Sequence, residues 1–275
     1  MTRFILKRTL RESIIVKDSQ DQQLDFLEGQ ISGTQPYVDI LEKVPALTWD
    51  DAYRLQFALA KRKIAKGDRL IGYKAAYTSR AMQQERGVAG PIIGCLMRSG
   101  NFEEGKPIKL TAGIETLVEP EIAVLLKRDL QGPGVTHEEA LLAVEGVFPA
   151  IEIAEQTHGG RKRSRQMGIA IHKSNGGIVV GSPMSSPHGI DLRLEGMVIS
   201  INGAVRGSAT GVEVLGNPLS LVAVIANKIG AYGEMLKAGM ILMTGSIVSA
   251  IPVAPGDDLC VEFTRIGRVC ARFTD

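Results

Sequence analysis

Aromatic residues are scarce in this chain: they make up 5% of its 275 residues, with a single Trp. Single-stranded nucleic acid is gripped by aromatic stacking platforms, so that class of function has little support. A surplus of one charge is missing too, since 32 Lys and Arg face 30 Asp and Glu for a formal net charge of +2. A dedicated nucleic-acid binder needs a clear basic excess or stripe, and we expect no nucleic-acid partner. Cysteine is sparse and odd in number, at positions 95, 260 and 270, which fits a reducing cytoplasm better than a disulfide framework. No apolar run approaches the ~20 residues of a membrane span. Met1 to Val16 interleaves Arg3, Lys7, Arg8, Arg11 and Glu12 with its apolar positions, whereas a secretory signal needs an unbroken apolar segment. Such a basic, Ser/Thr-containing start has features of a mitochondrial presequence, but the expectation is a cytoplasmic protein that makes no membrane contact.

Several catalytic signatures are missing as well. There is no P-loop, no strand-bound G-x-G-x-x-G, no H-E-x-x-H and no G-x-S-x-G. His137, His158, His172 and His188 do not pair with Cys at zinc spacing. Nucleotide-driven, zinc-hydrolytic and serine-esterase chemistry all lose ground.

What is present is a packed globular composition, 44% hydrophobic and 23% charged, enough to offset the entropy of ordering the chain. The length suits one large domain or one with an appendage. Residues 1–70 read as a helical region. Within it Thr48-Trp49-Asp50-Asp51 is a capping signal, Ala52, Leu55 and Leu59 recur at helical spacing, and Gly67 closes the helix. From residue 71 to 275 short Gly-punctuated apolar runs signal a β-rich body. Thr136 and Glu139 open a short helix that Val144-Glu145-Gly146 ends, flanked by strands at Thr116 to Leu126 and Phe148 to Glu155. Asn202-Gly203 predicts a type I′ hairpin over Met197 to Ser208. Asn217-Pro218 starts a helix with Gly239 beyond its end, and Ile241 to Thr244, Leu259 to Thr264 and Val269 to Phe273 read as strands.

Chemistry concentrates in three places. In a strand, alternate side chains share a face, so Glu119 and Glu121 point one way while Val118, Pro120 and Ile122 point the other. About thirty residues on, Glu152 interrupts an apolar strand between small same-face neighbours, Ala150 and Ala154. One reading is a pair of solvent-facing acids plus a stray Glu. The other is three carboxylates converging on a divalent cation. Such carboxylates at ~4 Å would repel by about 4 kcal/mol per pair at an effective dielectric of ~20, so the cluster needs a cation or takes up protons. Oxygen ligation selects a hard ion, Mg²⁺ or Mn²⁺. The second place is Ile71 to Ser79, where Lys74 is an isolated cation in an apolar run. It is either surface decoration or a buried charge that meets an anion. The third is Met243-Thr244-Gly245-Ser246, either a plain strand end or a cradle of N–H groups and the Thr244 hydroxyl for a carboxylate.

Taken together, Gly72-Tyr73-Lys74, Glu119-Pro120-Glu121, Ile151-Glu152-Ile153 and Met243-Thr244-Gly245 resemble the fumarylacetoacetate hydrolase superfamily, in particular its branch of 2-oxo-4-pentenoate hydratases and 4-oxalocrotonate decarboxylases. The resemblance implies an α+β fold, a β-rich roll of mixed sheets with an N-terminal helical region. It implies Glu119, Glu121 and Glu152 as ligands of Mg²⁺ or Mn²⁺, and Lys74 as an active-site cation that, with Thr78, Thr244 and Gly245, contacts a small 2-oxo acid. Hydratases of this branch carry an Asp in a Pro-Asp-Phe-Gly-like context, where this chain reads Pro91-Ile92-Ile93-Gly94. Pro91-Ile92, Gly132-Pro133-Gly134 and Ala250 to Asp257 are nearer the decarboxylases. Two runs depart from both groups: Glu155-Gln156-Thr157 stands for Asp-Ser-Arg, and His172-Lys173-Ser174-Asn175 for Asp-Asn-Ala-Ser.

The expected activity is decarboxylation of 2-oxo-3-hexenedioate in aromatic catabolism, with hydration of 2-hydroxypenta-2,4-dienoate as the alternative. Hydrolytic C–C cleavage of an acylpyruvate is a third reading, and a non-catalytic scaffold subunit is the reading from another class. A homo-oligomer is expected, with a paralogous hydratase subunit as a further partner. His172 is the candidate proton donor, because an unperturbed imidazole titrates near neutrality; the alternative is a loop histidine without a catalytic part. Arg161 to Arg165 reads as a solvated loop, with a substrate-facing cation as the alternative.

Overall fold

The computed structural model describes residues 20–33, 35–172 and 175–275; Met1 to Val16 and the pair Lys173-Ser174 lie outside the described residues. Helix α1 covers residues 20–31, α2 Ile40–Lys43 and α3 Trp49–Ala65. At the start of α3 the Thr48 hydroxyl accepts the Asp51 N–H at 3.1 Å, and the Asp51 carboxylate accepts the Thr48 N–H at 3.2 Å, the reciprocal box predicted. The remaining helices are α4 (Arg80–Arg86), α5 (His137–Ala143), α6 (Arg165–Ala170) and α7 (Ser220–Gly230). Among the described residues no helix is long and apolar enough to cross a membrane.

Among the described residues, thirteen strands form two sheets. The first joins β1 (Leu70–Ala76), β2 (Ile92–Met97), β3 (Asn101–Phe102), β5 (Glu115–Leu126), β6 (Val144–Gln156), β7 (Asn175–Val180), β10 (Ile241–Met243) and β11 (Ile251–Val253). Its order is β2-β1-β10-β5-β6-β7-β3, with β11 on β5. The second sheet has β4 (Pro107–Lys109), β8 (Gly196–Ile201), β9 (Ala204–Thr210), β12 (Asp258–Phe263) and β13 (Arg268–Thr274), in the order β4-β13-β12-β8-β9. Both parallel and antiparallel pairs occur. β2 leads through the single turn Arg98–Gly100 into β3, which pairs with β7 at the far side. The sheet therefore curls back on itself as a roll.

The two faces of the roll differ. Outward, Tyr73, Ile93, Val118, Ile122, Ile151 and Ile153 join the main core with α3, α6, α7 and the second sheet. Inward, a small cluster of Leu96, Ala123, Ala150, Ile178 and Met243 forms an apolar floor. At the seam between β2 and β7, side chains replace a missing strand. The Tyr53 hydroxyl accepts the Ile93 N–H at 3.2 Å, the Gln56 amide donates to the Ile93 carbonyl at 3.0 Å, and His172 Nδ1 accepts the Cys95 N–H at 3.3 Å. These bonds satisfy edge groups that would otherwise be buried without partners.

The hairpin is found as predicted, with Asn202 and Gly203 at φ 52° and 78°. Other local expectations hold only in part. α5 ends at Ala143 with Val144 as its C-cap, as expected, but β6 begins at Val144 and not at Phe148, its ladder to β5 extending to Leu126↔Val144. α7 runs from Ser220 to Gly230, with Gly239 beyond its end as expected. Cys260 and Cys270 face each other across β12 and β13 and are joined as a disulfide; strand register brings together two residues whose spacing alone says nothing. Cys95 is buried and free of disulfide.

Candidate metal centre

Strands β5 and β6 set the centre. Their antiparallel register places Glu119 directly opposite Glu152, and Glu121 opposite Ala150. All three acids face the inside of the roll, and one carboxylate oxygen from each lies within 4.8 Å of the others. Glu121 and Glu152 are buried, and Glu119 is half-buried. The solvent-facing alternative is thus excluded by the fold.

Burial, reinforced by the charges of Glu152 and Glu119, holds the Glu121 carboxyl well above the usual carboxylate range. One of its oxygens accepts the Gly245 N–H at 2.7 Å. The other, Oε1, is buried with no hydrogen-bond partner among the described residues. A buried lone pair costs free energy when unmet. An all-oxygen trio with an orphaned buried acceptor is what a hard divalent cation satisfies, so the residues present fit one.

Lys74 reaches this cluster from β1. In the strand order, three spacings of ~4.8 Å separate β1 from β6, about 14 Å along a flat sheet. Lys74 and Glu152 nevertheless form a buried ion pair. The lysine crosses the inside of the curled sheet, and the anion it meets is a proposed ligand of the centre rather than solvent.

Thr78 is buried just beyond β1. It packs on Gly245, whose φ of 96° and lack of a Cβ are both needed: a Cβ there would stand 2.8 Å from the Thr78 Cβ. Thr244 is buried, and its hydroxyl donates to the Ile122 carbonyl at 2.8 Å. Thr78 and Gly245 therefore lie at the centre, while the Thr244 hydroxyl proton and the Gly245 N–H are directed to β5 and Glu121.

His172 lies beside the centre but not in the state expected. Burial, with help from the Lys63 and Lys74 charges, pushes its imidazole down to about 3. The premise that it titrates near neutrality is thereby corrected. Its Nδ1 accepts from Cys95, so the neutral ring carries its proton on Nε2, which has no partner among the described residues. The expectation of a solvated Arg161 to Arg165 loop holds for Arg161, Lys162 and Arg165, which are exposed, and needs amendment at Arg163. Arg163 is half-buried, its guanidinium held below its ordinary range by burial, with Tyr37, Tyr77 and Asp39 opposing. Asp39 anchors this loop by accepting the Ser164 N–H and hydroxyl, both at 2.6 Å.

The residue that sequence reasoning passed over is Gly94, paired with Lys74 in the β1–β2 register. Its signal was available: a glycine inside an apolar strand marks a close approach.

The profile of the fumarylacetoacetate (FAA) hydrolase C-terminal family matches residues 72–274. A 2-hydroxyhexa-2,4-dienoate hydratase of Comamonas testosteroni is 34% identical over 262 residues, covering 93% of this chain and 99% of that protein. A 4-oxalocrotonate decarboxylase of Pseudomonas putida is 35% identical over 229 residues, covering 83% and 87%. The solved structure of 4-oxalocrotonate decarboxylase from Pseudomonas putida G7, complexed with magnesium and adipate, superposes with a TM-score of 0.89 at 32% identity over 94% of this chain and 98% of that one.

Proposed function

Because this chain belongs to the fumarylacetoacetate hydrolase family, we propose that it is a metal-dependent lyase that decarboxylates 2-oxo-3-hexenedioate (4-oxalocrotonate) to 2-oxopent-4-enoate. The observation that carries the reading is the buried Glu119, Glu121 and Glu152 trio with Lys74 paired to Glu152. These three carboxylates would hold Mg²⁺ or Mn²⁺. When bound, the ion supplies Lewis acidity at the keto oxygen of the substrate.

The chain's own groups do the rest. Three carboxylates leave the loaded site one unit negative, and the Lys74 ammonium brings it to neutrality before a dianion enters. Thr78 offers its hydroxyl to the substrate, while Gly245 and Thr244 hold Glu121 and β5 in place. Loss of CO₂ breaks the C5–C6 bond and leaves its electron pair on C5. Conjugation through the C3–C4 alkene carries that pair to the 2-oxo oxygen, and a proton returned to C3 gives 2-oxopent-4-enoate. Burial of the centre excludes bulk water, which strengthens the Lys74 contribution. Ile92 occupies the place of the hydratase Asp, paired with Ala76 on the strand edge that also carries Lys74↔Gly94. An apolar side chain there cannot deliver water to an alkene, which favours decarboxylation over hydration.

The test is CO₂ release from 4-oxalocrotonate by the purified protein with Mg²⁺ or Mn²⁺. Hydration of 2-hydroxypenta-2,4-dienoate without CO₂ release would replace this reading with the hydratase one. Neither turnover nor calorimetric Mn²⁺ binding, with or without oxalate, would make the chain a scaffold subunit. A homo-oligomer, alone or with a paralogous hydratase subunit, belongs to the same proposal, and the mass in solution by light scattering checks it.

A further inference from the structure

We propose that Gly94 is the saddle over which Lys74 bends to reach Glu152, and that the His172 turn fixes the height of that saddle. The inference deepens the reading above, on which it rests for the role of Lys74 as the site's cation.

Three observations carry it. First, Lys74 and Gly94 are direct partners in the β1–β2 ladder, so their Cβ directions share the inner face. Second, a Cβ built on Gly94 would lie 3.3 Å from both Cγ and Cε of Lys74. Contact with both ends of the stem means that the stem lies flat across β2. Lys74 thus leans over the seam beside β7, and the strand beyond β7 is β6, which bears Glu152. Third, the same Cβ would lie 3.2 Å from the His172 carbonyl oxygen, so a side chain at Gly94 would meet the turn as well as the lysine stem.

Hydrogen bonds hold His172 in place. His172 is buried at a left-handed φ of 59°, its N–H donates to the Ile169 carbonyl at 3.2 Å, and its Nδ1 is pinned by the Cys95 N–H. A side chain at Gly94 meets backbone on the His172 side and a flexible stem on the Lys74 side, so the lysine is the group expected to give way. Gly94 has extended backbone that any residue adopts, so a substitution acts through contact alone. On this account Gly94 and His172 are positioning residues for Lys74. The imidazole serves the fold through Nδ1.

The experiment compares Gly94→Ala, Gly94→Val and Cys95→Ala; the Cys95 side chain points the other way, toward Gln56. Readouts are kcat on the turned-over substrate, Mn²⁺ affinity by calorimetry, oxalate affinity of the Mn²⁺-loaded protein, and Tm. A methyl group displaces the lysine by a few tenths of an ångström and an isopropyl group by more; since misplacement by ~1 Å can cost ~100-fold, we expect kcat to fall about 10-fold for Ala and about 100-fold for Val. Oxalate affinity falls in the same order, because its negative charge needs the Lys74 ammonium. Mn²⁺ affinity stays within about 3-fold, since the three Glu are untouched, and Cys95→Ala leaves kcat and oxalate affinity unchanged. Wild-type kcat and oxalate affinity in Gly94→Val would overturn the inference. So would parallel losses of Mn²⁺ affinity and Tm in that variant, which mark a general distortion. If the wild-type protein turns over neither substrate, the functional reading fails while the oxalate series still tests the saddle.

Discussion

The two faces of the β5–β6 pair make opposite uses of the same backbone. On the outer face Val118, Ile122, Ile151 and Ile153 are buried in the main core. On the inner face, one residue along in each case, Glu119, Glu121 and Glu152 crowd within 4.8 Å. Full burial of a Val or Ile contributes about 1.5–3 kcal/mol, whereas each close carboxylate pair costs about 4 kcal/mol at an effective dielectric of ~20. Two or three core side chains therefore offset one acid pair. A strand with period two lets a site with an unfavourable charge distribution be held by a face it never touches. The outer face should then control stability without touching metal affinity, and the inner face should do the reverse.

The largest effect tests the inner face. Glu121→Gln keeps the shape but removes a ligand charge, and we expect Mn²⁺ affinity to fall by more than the ~10–100-fold typical of losing an outer-shell partner, with turnover at background. In metal-free protein the same change removes a raised, buried carboxylate and increases Tm. Calorimetry and thermal unfolding of one sample read both. A Glu121→Gln protein that still binds Mn²⁺ at wild-type affinity would remove the trio from the metal centre.

The outer face is tested by Ile122→Ala, which leaves a cavity in the main core and costs about 2–5 kcal/mol. Denaturant unfolding should show that loss while Mn²⁺ affinity of the folded fraction is unchanged. Metal itself then bridges the two faces. An ion that binds only the folded state stabilises it by about 2.7 kcal/mol at a hundred times its dissociation constant. That gain should appear in wild type and in Ile122→Ala alike, and vanish in Glu121→Gln.

Much of this division was legible before any coordinates. Period-two alternation put Glu119 and Glu121 on one face, and the cost of burying a charge singled out Glu152 and Lys74, but solvent-facing readings stayed open, and it was the family resemblance that implied a metal trio with an active-site lysine. Local signals with a private mechanism also held: the Thr48–Asp51 box and the Asn202-Gly203 turn depend on neighbours within four residues. What was not legible depends on residues brought together from far along the chain. The edge of β2 is satisfied by Tyr53, Gln56 and His172, 40, 37 and 77 residues from their backbone partners, and no window of sequence contains such a bond. The start of β6 at Val144, four residues ahead of Phe148, was hidden for the same reason, because pairing to β5 sets it. The Cys260–Cys270 pairing needed strand register. The half-buried place of Arg163 among exposed neighbours was not legible because composition shows a basic run and not the Asp39 anchor at Ser164.

That anchor supplies a pH test away from both faces. Asp39 has its carboxyl held below the usual carboxylate range: burial works against this, and is outweighed by hydrogen bonds from Ser164, Leu41 and Tyr37. A folded-state value below the unfolded one means the contribution is present above the unfolded value, ~3.9 for Asp, and is lost as pH falls through the folded one. Asp39→Asn should flatten the acid limb of the stability curve below about pH 4 and leave the neutral-pH Mn²⁺ affinity unaltered. An unchanged acid limb would show that the latch between residues 39 and 164 carries no linked charge.

The smallest change gives the sharpest comparison. Ile151 is completely buried in the outer core, and its chain neighbour Glu152 is both a proposed ligand and the partner of Lys74. Ile151→Val deletes one methylene and should cost about 0.5–1.5 kcal/mol, a downward shift of a few degrees in Tm. The β6 backbone is held by β5 on one side and β7 on the other, so the strand has little freedom to follow the lost group. Glu152 should keep its place, and Mn²⁺ affinity and kcat should match wild type. A loss of affinity that tracks this small loss of stability would mean that the two faces are mechanically coupled through β6, and that the outer core positions the acids as well as holding the sheet together.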